Sequence, residues 1–126
     1  MLKTIDRIFG CLLILASFGH IVGTFIWMQP MSGIFIWSMG SSLAGTLLGV
    51  LNIVRAGRPY DKTLAAITAI GTGCWILVAL GLGKSIGNLL DPRALGHASI
   101  AAVLVFFSVI TLKGRSVGAG AASARR

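Results

Sequence analysis

The stretch IFGCLLILASFGHIVGTFIWMQPMSGIFIWSMGSSLAGTLLGVLNIV, residues 8–54, contains no Lys, Arg, Asp or Glu and decides the fold. At its centre, Gln29-Pro30-Met31-Ser32-Gly33 carries residue types that favour turns. This turn divides the stretch into two apolar segments, residues 8–28 and 34–54. At a rise of about 1.5 Å per residue, each segment forms a helix of roughly 30 Å, which matches the hydrocarbon core of a bilayer.

Two further charge-free runs follow, at residues 63–83 and 94–112. Spanning β-strands would show alternating polarity, which is absent, and helices pair all of their backbone groups internally in lipid. The short connections favour antiparallel neighbours. We therefore predict an all-α polytopic membrane protein, with four transmembrane helices in an up-down-up-down bundle over residues 1–113 and a flexible cytoplasmic tail, low in complexity, at 114–126.

Composition excludes a water-soluble monomer, since 56% of the 126 residues are hydrophobic and only 11% are charged. Soluble domains carry about 25% charged residues. The net charge of +8 does not indicate nucleic acid as a partner. The basic residues lie between long apolar runs, whereas a nucleic-acid-binding protein gathers them on a water-facing surface.

The basic residues predict the orientation of the helices. Nine of the eleven Lys and Arg flank one side, namely Lys3, Arg7, Arg55, Arg58, Lys62, Lys113, Arg115, Arg125 and Arg126. Only Lys84 and Arg93 flank the other. By the positive-inside rule, we expect a multi-pass protein of the cell (inner or plasma) membrane, with both termini in the cytoplasm.

The three acidic residues all lie at the edges of the predicted spans. Asp91-Pro92-Arg93 is typical of an N-cap followed by proline at the first helical position, and Asp61 is placed similarly before the third helix. Because no carboxylate is predicted inside a span, coupled antiport and acid–base catalysis are disfavoured. The two cysteines lack a metal-binding spacing, so we predict neither catalytic residues nor a metal site.

Each predicted helix carries a polar face. Helix two places Ser38, Ser42 and Asn52 on one side, while Thr24 and Thr72 belong to polar faces of helices one and three. Four such faces turned inward form either a hydrogen-bonded interior or a narrow polar path. Ser and Thr hydroxyls also satisfy themselves on the carbonyl four residues earlier, which favours the structural interpretation.

His20 and His97 are the candidate cofactor-binding residues, because ionisable groups inside a membrane are functional candidates. They suggest two axial ligands of a b-type haem, or a proton or quinone site. The predicted span ends place His20 about 12 Å and His97 about 5 Å below the outer surface, which disfavours a shared site. The structural alternative is that His20 bonds a neighbouring hydroxyl while His97 faces interfacial water.

Glycine pairs that allow helices to approach closely occur at Gly19 and Gly23 and at Gly45 and Gly49. The sequence has abundant surface for helix packing and few side chains that could act in catalysis. This favours a non-enzymatic accessory or assembly subunit, or a homo-oligomer. Its expected partners are the lipid bilayer and other membrane subunits or further copies of the chain. The second hypothesis is a redox subunit that binds haem or quinone through the two histidines. The third is a passive channel or small-molecule transporter.

Overall fold

The computed structural model describes residues 2–114. This part of the chain forms four α-helices and no strand: α1 (Leu2–Trp27), α2 (Gly33–Gly57), α3 (Lys62–Ser85) and α4 (Pro92–Lys113). All four are long and apolar enough to cross a membrane. The all-α, four-helix prediction is therefore confirmed, while the predicted tail beyond residue 114 lies outside the described residues.

Every helix begins before its predicted span, most clearly α1, which begins at Leu2 and not at residue 8 and ends at Trp27, one residue before the predicted end. The prediction placed each span between charged residues. Lys and Arg are good helix formers, so a helix continues through them. This difference shifts the depth of every side chain counted from a span end.

Side-chain caps start three of the helices. Asp61 Oδ1 accepts from the Leu64 amide at 2.9 Å, and Asp91 Oδ1 accepts from the Arg93 amide at 2.9 Å. Pro92 occupies the first turn of α4. Both predicted aspartate caps are therefore confirmed. Ser32, within the predicted turn, caps α2 by accepting from the Phe35 amide.

The helices pack as two close pairs, α1 with α2 and α3 with α4, and the pairs are joined by contacts of α1 with α4 and of α2 with α3. Gly10 and Gly49 let the first pair approach closely, since a Cβ on Gly49 would lie 2.9 Å from the Gly10 carbonyl oxygen. The first turns of α1 meet the last turns of α2 and of α4, where Arg55 bonds Asp6 and Thr111.

The distribution of side chains is inverted relative to a soluble bundle. Large apolar side chains face outward, and Leu15, Ile70 and Leu77 are 67%, 70% and 71% exposed. Polar residues fill much of the interior instead, with Ser17, Asn52, Thr68, Thr72 and Ser108 fully buried. A small apolar core lies among them, formed by Leu13, Trp75, Ala101 and Leu104.

Candidate functional site

The polar side chains of the interior fall into two groups, one at each end of the bundle. The Arg55 cluster comprises Asp6, Asn52, Arg55, Thr68, Thr72, Ser108 and Thr111. The histidine cluster comprises His20, Thr24, Ser38, Trp75 and His97. Along α1 and α4, Leu13, Ala101 and Leu104 lie between the two groups and are fully buried.

The Arg55 cluster ties all four helices together. Arg55 Nη2 donates to Asp6 Oδ1 at 2.6 Å and to Asn52 Oδ1 at 3.2 Å, and its Nη1 donates to Thr111 Oγ1 at 3.3 Å. Asn52 Nδ2 donates to Thr72 Oγ1 at 2.9 Å, which adds α3. Buried charge is tolerated where it is paired and further hydrogen-bonded, as here.

This cluster pairs two charges that the sequence analysis placed separately at span edges. Asp6 lies in the second turn of α1 and is 5% exposed. Arg55, counted as a loop cation, lies in α2 and is equally buried. One feature of the sequence could have indicated that Arg55 is buried. Asn52 belongs to the polar face of helix two and lies three residues before Arg55, so both residues share that face.

In the histidine cluster, a chain of hydroxyls fixes the proton on His20. Thr24 Oγ1 donates its only hydrogen to the His20 carbonyl at 2.8 Å, so Ser38 Oγ must donate to Thr24 Oγ1 at 2.6 Å. The remaining contact of Ser38, to His20 Nε2 at 2.9 Å, then requires Ser38 to accept. His20 is therefore the tautomer protonated at Nε2, bonded to a hydroxyl as the structural alternative expected.

The structure brings the two histidines together. Their ring centroids lie 6.4 Å apart with planes at 80°, and the Trp75 ring lies 5.8 Å from that of His97. The different depths expected from the sequence were counted from charged residues. Counted instead from the helix ends at Trp27 and Pro92, the levels of the two histidines differ by only about 3 Å at 1.5 Å per residue.

A cavity of about 330 Å³ opens beside this cluster. All four helices contribute to its wall, and its interior polar groups come from Ser17, His20, Ser38, Ser42, Trp75 and His97. Its exposed lining residues lie on α2 and α3, including Ile34, Trp37 and Val78, so the opening is between these two helices. Across residues 2–114, no Lys, Arg, Asp or Glu lines it.

A second cavity of about 390 Å³ lies on the other side of the histidines, between α1 and α4. Its wall includes Gly19, Gly23 and Gly96 together with His20 and His97. A Cβ added to Gly19 or Gly96 would meet no atom within 4 Å. The two histidines therefore form a partition between two cavities.

Two buried nitrogens of the histidine cluster have no hydrogen-bond partner in the described chain: Trp75 Nε1 and His97 Nδ1. Buried polar groups are nearly always paired, and an orphan costs about 1–3 kcal/mol. His97 was expected to face interfacial water, but it is half-buried and packs against aromatic rings.

At the rim of the second cavity, Arg93 pairs with Asp91. The guanidinium donates from Nε to Oδ1 and from Nη2 to Oδ2, both at 2.9 Å. This bidentate hydrogen bond, with the amide of Arg93, lowers the pKa of the Asp91 carboxyl to about 2. The carboxylate of Asp91 thus largely neutralises the positive charge of Arg93 within the same turn.

The residues predicted as a possible polar path separate between the two clusters. Thr24 and Ser38 belong to the histidine cluster, with Ser42 on the cavity wall beside it, whereas Asn52 and Thr72 belong to the Arg55 cluster. Throughout residues 2–114, no three His, Cys, Asp or Glu side chains are grouped to hold a metal ion. The chemistry available is hydrogen bonding by neutral groups beside a cavity.

No protein-family model matches the chain, and neither a curated protein nor a solved structure is significantly similar to it. The geometry of the histidine cluster and its cavity is therefore the basis for assigning a function.

Proposed function

We propose that this is a multi-pass membrane protein that binds a neutral, lipid-soluble small molecule in the cavity between α2 and α3. The observation that carries the proposal is the wall of that cavity, which combines apolar surface with imidazole, indole and hydroxyl groups and has no charged side chain in the described chain. Binding sites for small molecules have this composition, mostly apolar with a few converging polar groups.

Membrane insertion is supported by the inverted side-chain distribution, because outward-facing Leu15, Ile70 and Leu77 need an apolar solvent. The up-down-up-down topology is supported by the meeting of the start of α1 with the ends of α2 and α4. With both termini cytoplasmic, the Arg55 cluster lies on the cytoplasmic side and the cavity lies in the outer half of the bilayer. A lipid-soluble molecule would then enter sideways, between α2 and α3.

The same geometry supports this proposal over the channel. Leu13, Ala101 and Leu104, all fully buried, lie between the two polar clusters. A hydrated path through the bundle would have to cross this apolar level. Haem ligation has weaker support than binding in the cavity, because the Nε2 of His20 already bonds Ser38.

The proposal is tested with protein in phosphatidylcholine nanodiscs and two radiolabelled probes, decylbenzoquinone and decylbenzene, with empty nanodiscs giving the background. We expect saturable binding of at least one probe at one molecule per chain. Ser41→Phe, which fills the cavity from α2, should abolish it, whereas Ala44→Phe, outside the cavity on the same helix, should preserve it. Uptake no greater than that of empty nanodiscs for both probes overturns the proposal.

The orientation has its own test in a variant with Cys11 and Cys74 replaced by alanine. A single cysteine introduced at Met31, between α1 and α2, should react with an impermeant maleimide from outside intact cells. A cysteine at Arg58, between α2 and α3, should react only after the membrane is opened. The reverse pattern would invert the proposed orientation.

A second candidate function is assembly, through a homodimer or as a subunit of a larger membrane complex. The supporting observation is the groove between α1 and α4, where Gly19 and Gly96 leave open space that no part of the described chain fills. Small residues of this kind allow close packing of another helix in a membrane. A second copy is the occupant tested: native mass spectrometry should show a dimer that Gly19→Leu disrupts and Gly40→Leu, on open surface of α2, does not.

A further inference from the structure

Trp75 is held in the bundle with its hydrogen-bond donor unused. The side chain is 7% exposed, lines the cavity between α2 and α3, and packs its six-membered ring against Gly45 of α2. Its Nε1 has no acceptor in the described chain. An indole nitrogen is a donor only, so the group that completes this site must be a hydrogen-bond acceptor.

The hydroxyls on the cavity wall do not supply the acceptor. Ser17 Oγ donates to the Leu13 carbonyl and Ser42 Oγ donates to the Ser38 carbonyl, and neither oxygen accepts from Trp75 Nε1. His97, whose ring is 5.8 Å from Trp75, has its own unpaired Nδ1 and lines the same cavity. Two residues that line this neutral cavity, Trp75 and His97, thus each carry a buried nitrogen that lacks a partner.

The requirements on an occupant follow from these groups. It must be neutral, because the described wall offers no charge to balance an ion. It must be lipid-soluble, because apolar surface dominates the wall and the opening lies between two helices. It must also carry an oxygen that accepts a hydrogen bond, because Trp75 donates only. A flat ring suits a cavity bordered by the aromatic rings of His20, His97 and Trp75.

We propose that the occupant is a ring ketone of the quinone class, whose carbonyl oxygen accepts a hydrogen bond from Trp75 Nε1, with His97 beside it. This inference rests on the proposed binding function and specifies its ligand. It concerns binding only: the carbonyl is held by hydrogen bonds, and no electron or proton is transferred to it. Trp75 is the residue that distinguishes a carbonyl ligand from a hydrocarbon of the same size.

The test compares the two probes quantitatively on whole protein in the same nanodiscs. Decylbenzoquinone and decylbenzene share a tail and a six-membered ring, but only the former has carbonyl oxygens. We expect the wild-type protein to bind decylbenzoquinone about tenfold more tightly, after correction for partition into empty nanodiscs, as one hydrogen bond supplies. Trp75→Phe keeps a ring and removes the donor, and it should bring the two dissociation constants together.

A second measurement needs no substitution at Trp75. In the wild-type protein, one of the three indole N–H resonances should move downfield on addition of decylbenzoquinone and stay in place with decylbenzene. Trp27→Phe and Trp37→Phe assign the other two resonances. Trp27 does not line this cavity, so Trp27→Phe is the matched control and should keep the tenfold preference.

The outcomes separate this inference from the function on which it rests. If both probes bind saturably and equally well to the wild-type protein, the cavity is a binding site and the assignment of a carbonyl ligand is overturned. A preference that survives in Trp75→Phe, with no shift of the Trp75 resonance, also overturns it. If neither probe exceeds the empty nanodisc, the binding function itself fails.

Discussion

Arg55 Nη2 and Asp6 Oδ1 lie 2.6 Å apart, and the two side chains are only 1% and 7% exposed. This ion pair joins a residue near the start of α1 to one near the end of α2. Arg55 also reaches Thr111 near the end of α4, and through Asn52 the network includes α3. One end of the bundle is therefore fixed by charge and hydrogen bonds, while the other end contains the cavity.

Loss of Arg55 should be the most destabilising single change at this end. Arg55→Met leaves the Asp6 carboxylate buried without a cation, and breaking a buried pair in this way costs about 3–5 kcal/mol. The measurement is the free energy of unfolding in mixed detergent micelles, followed by circular dichroism. Arg58→Met, at an exposed residue just beyond α2, should change it by less than about 0.5 kcal/mol.

Replacing both partners separates pairing from packing. Because Asp6→Leu with Arg55→Met removes both charges together, the double variant should be more stable than Arg55→Met alone. If the double variant has a lower free energy of unfolding than either single variant, the pair stabilises the fold through something other than its charges.

Much of the fold was predictable because long apolar helices follow simple sequence rules. Charge-free runs such as residues 8–54 identify the helices, and the residues before α3 and α4 identify their caps, as Asp61 and Asp91 confirm. The polar faces were also readable from spacing, and Ser38, Ser42 and Asn52 are all buried.

What the sequence did not reveal depends on where one helix meets another. Asp6 and Arg55 are far apart in the chain, and each alone is typical of a charge at a membrane boundary. The proximity of His20 and His97 was obscured because their depths were counted from charged residues and not from the ends of the helices, and each helical residue adds about 1.5 Å. Cavities and unpaired nitrogens, such as Trp75 Nε1, are properties of packing that no residue pattern encodes.

Gly45 should tolerate no side chain. A Cβ there would collide with Ser17 Oγ and lie 2.9 Å from Trp75 Cζ2, and both of those groups are buried. Overpacking of this kind typically costs about 1–3 kcal/mol, so Gly45→Ala should lower the free energy of unfolding by that amount. Tryptophan fluorescence should shift as well, because the Trp75 ring must move.

Gly40 on the same helix is the matched control, since a Cβ there meets nothing within 4 Å. Gly40→Ala should be neutral or slightly stabilising, because alanine favours helix by up to about 1 kcal/mol relative to glycine. Equal effects of the two substitutions would contradict the close approach of Trp75 to Gly45.

Ser38 should determine the tautomer of His20. In the wild-type protein, nitrogen chemical shifts should report His20 protonated at Nε2, because Ser38 accepts from that atom while donating to Thr24. Ser38→Ala removes both bonds at a buried site and should cost about 1–3 kcal/mol in stability. Ser41→Ala, which removes only a local bond to a carbonyl, should leave the His20 spectrum unchanged. A wild-type spectrum of the Nδ1-protonated form would refute the proposed hydrogen-bond order.

The ion pair between Asp91 and Arg93 should appear as a pH-dependent contribution to stability. The hydrogen bond from the Arg93 side chain lowers the pKa of the Asp91 carboxyl from 3.8 to about 2. Because the folded pKa is the lower one, the stabilisation is fully present above about pH 4 and is lost as the pH falls towards about 2. Asp91→Asn keeps an N-cap side chain while removing the charge, so it isolates this effect.

The melting temperature of the wild-type protein in non-ionic detergent should therefore exceed that of Asp91→Asn near pH 6, and the gap should close between about pH 4 and pH 2. All other ionisable groups are the same in both proteins and cancel from the comparison. Arg93→Gln removes the cation that lowers the pKa, and it should lose the same pH-dependent gain. A gap between wild type and Asp91→Asn that stays constant over this range would show that the carboxylate contributes only as a cap.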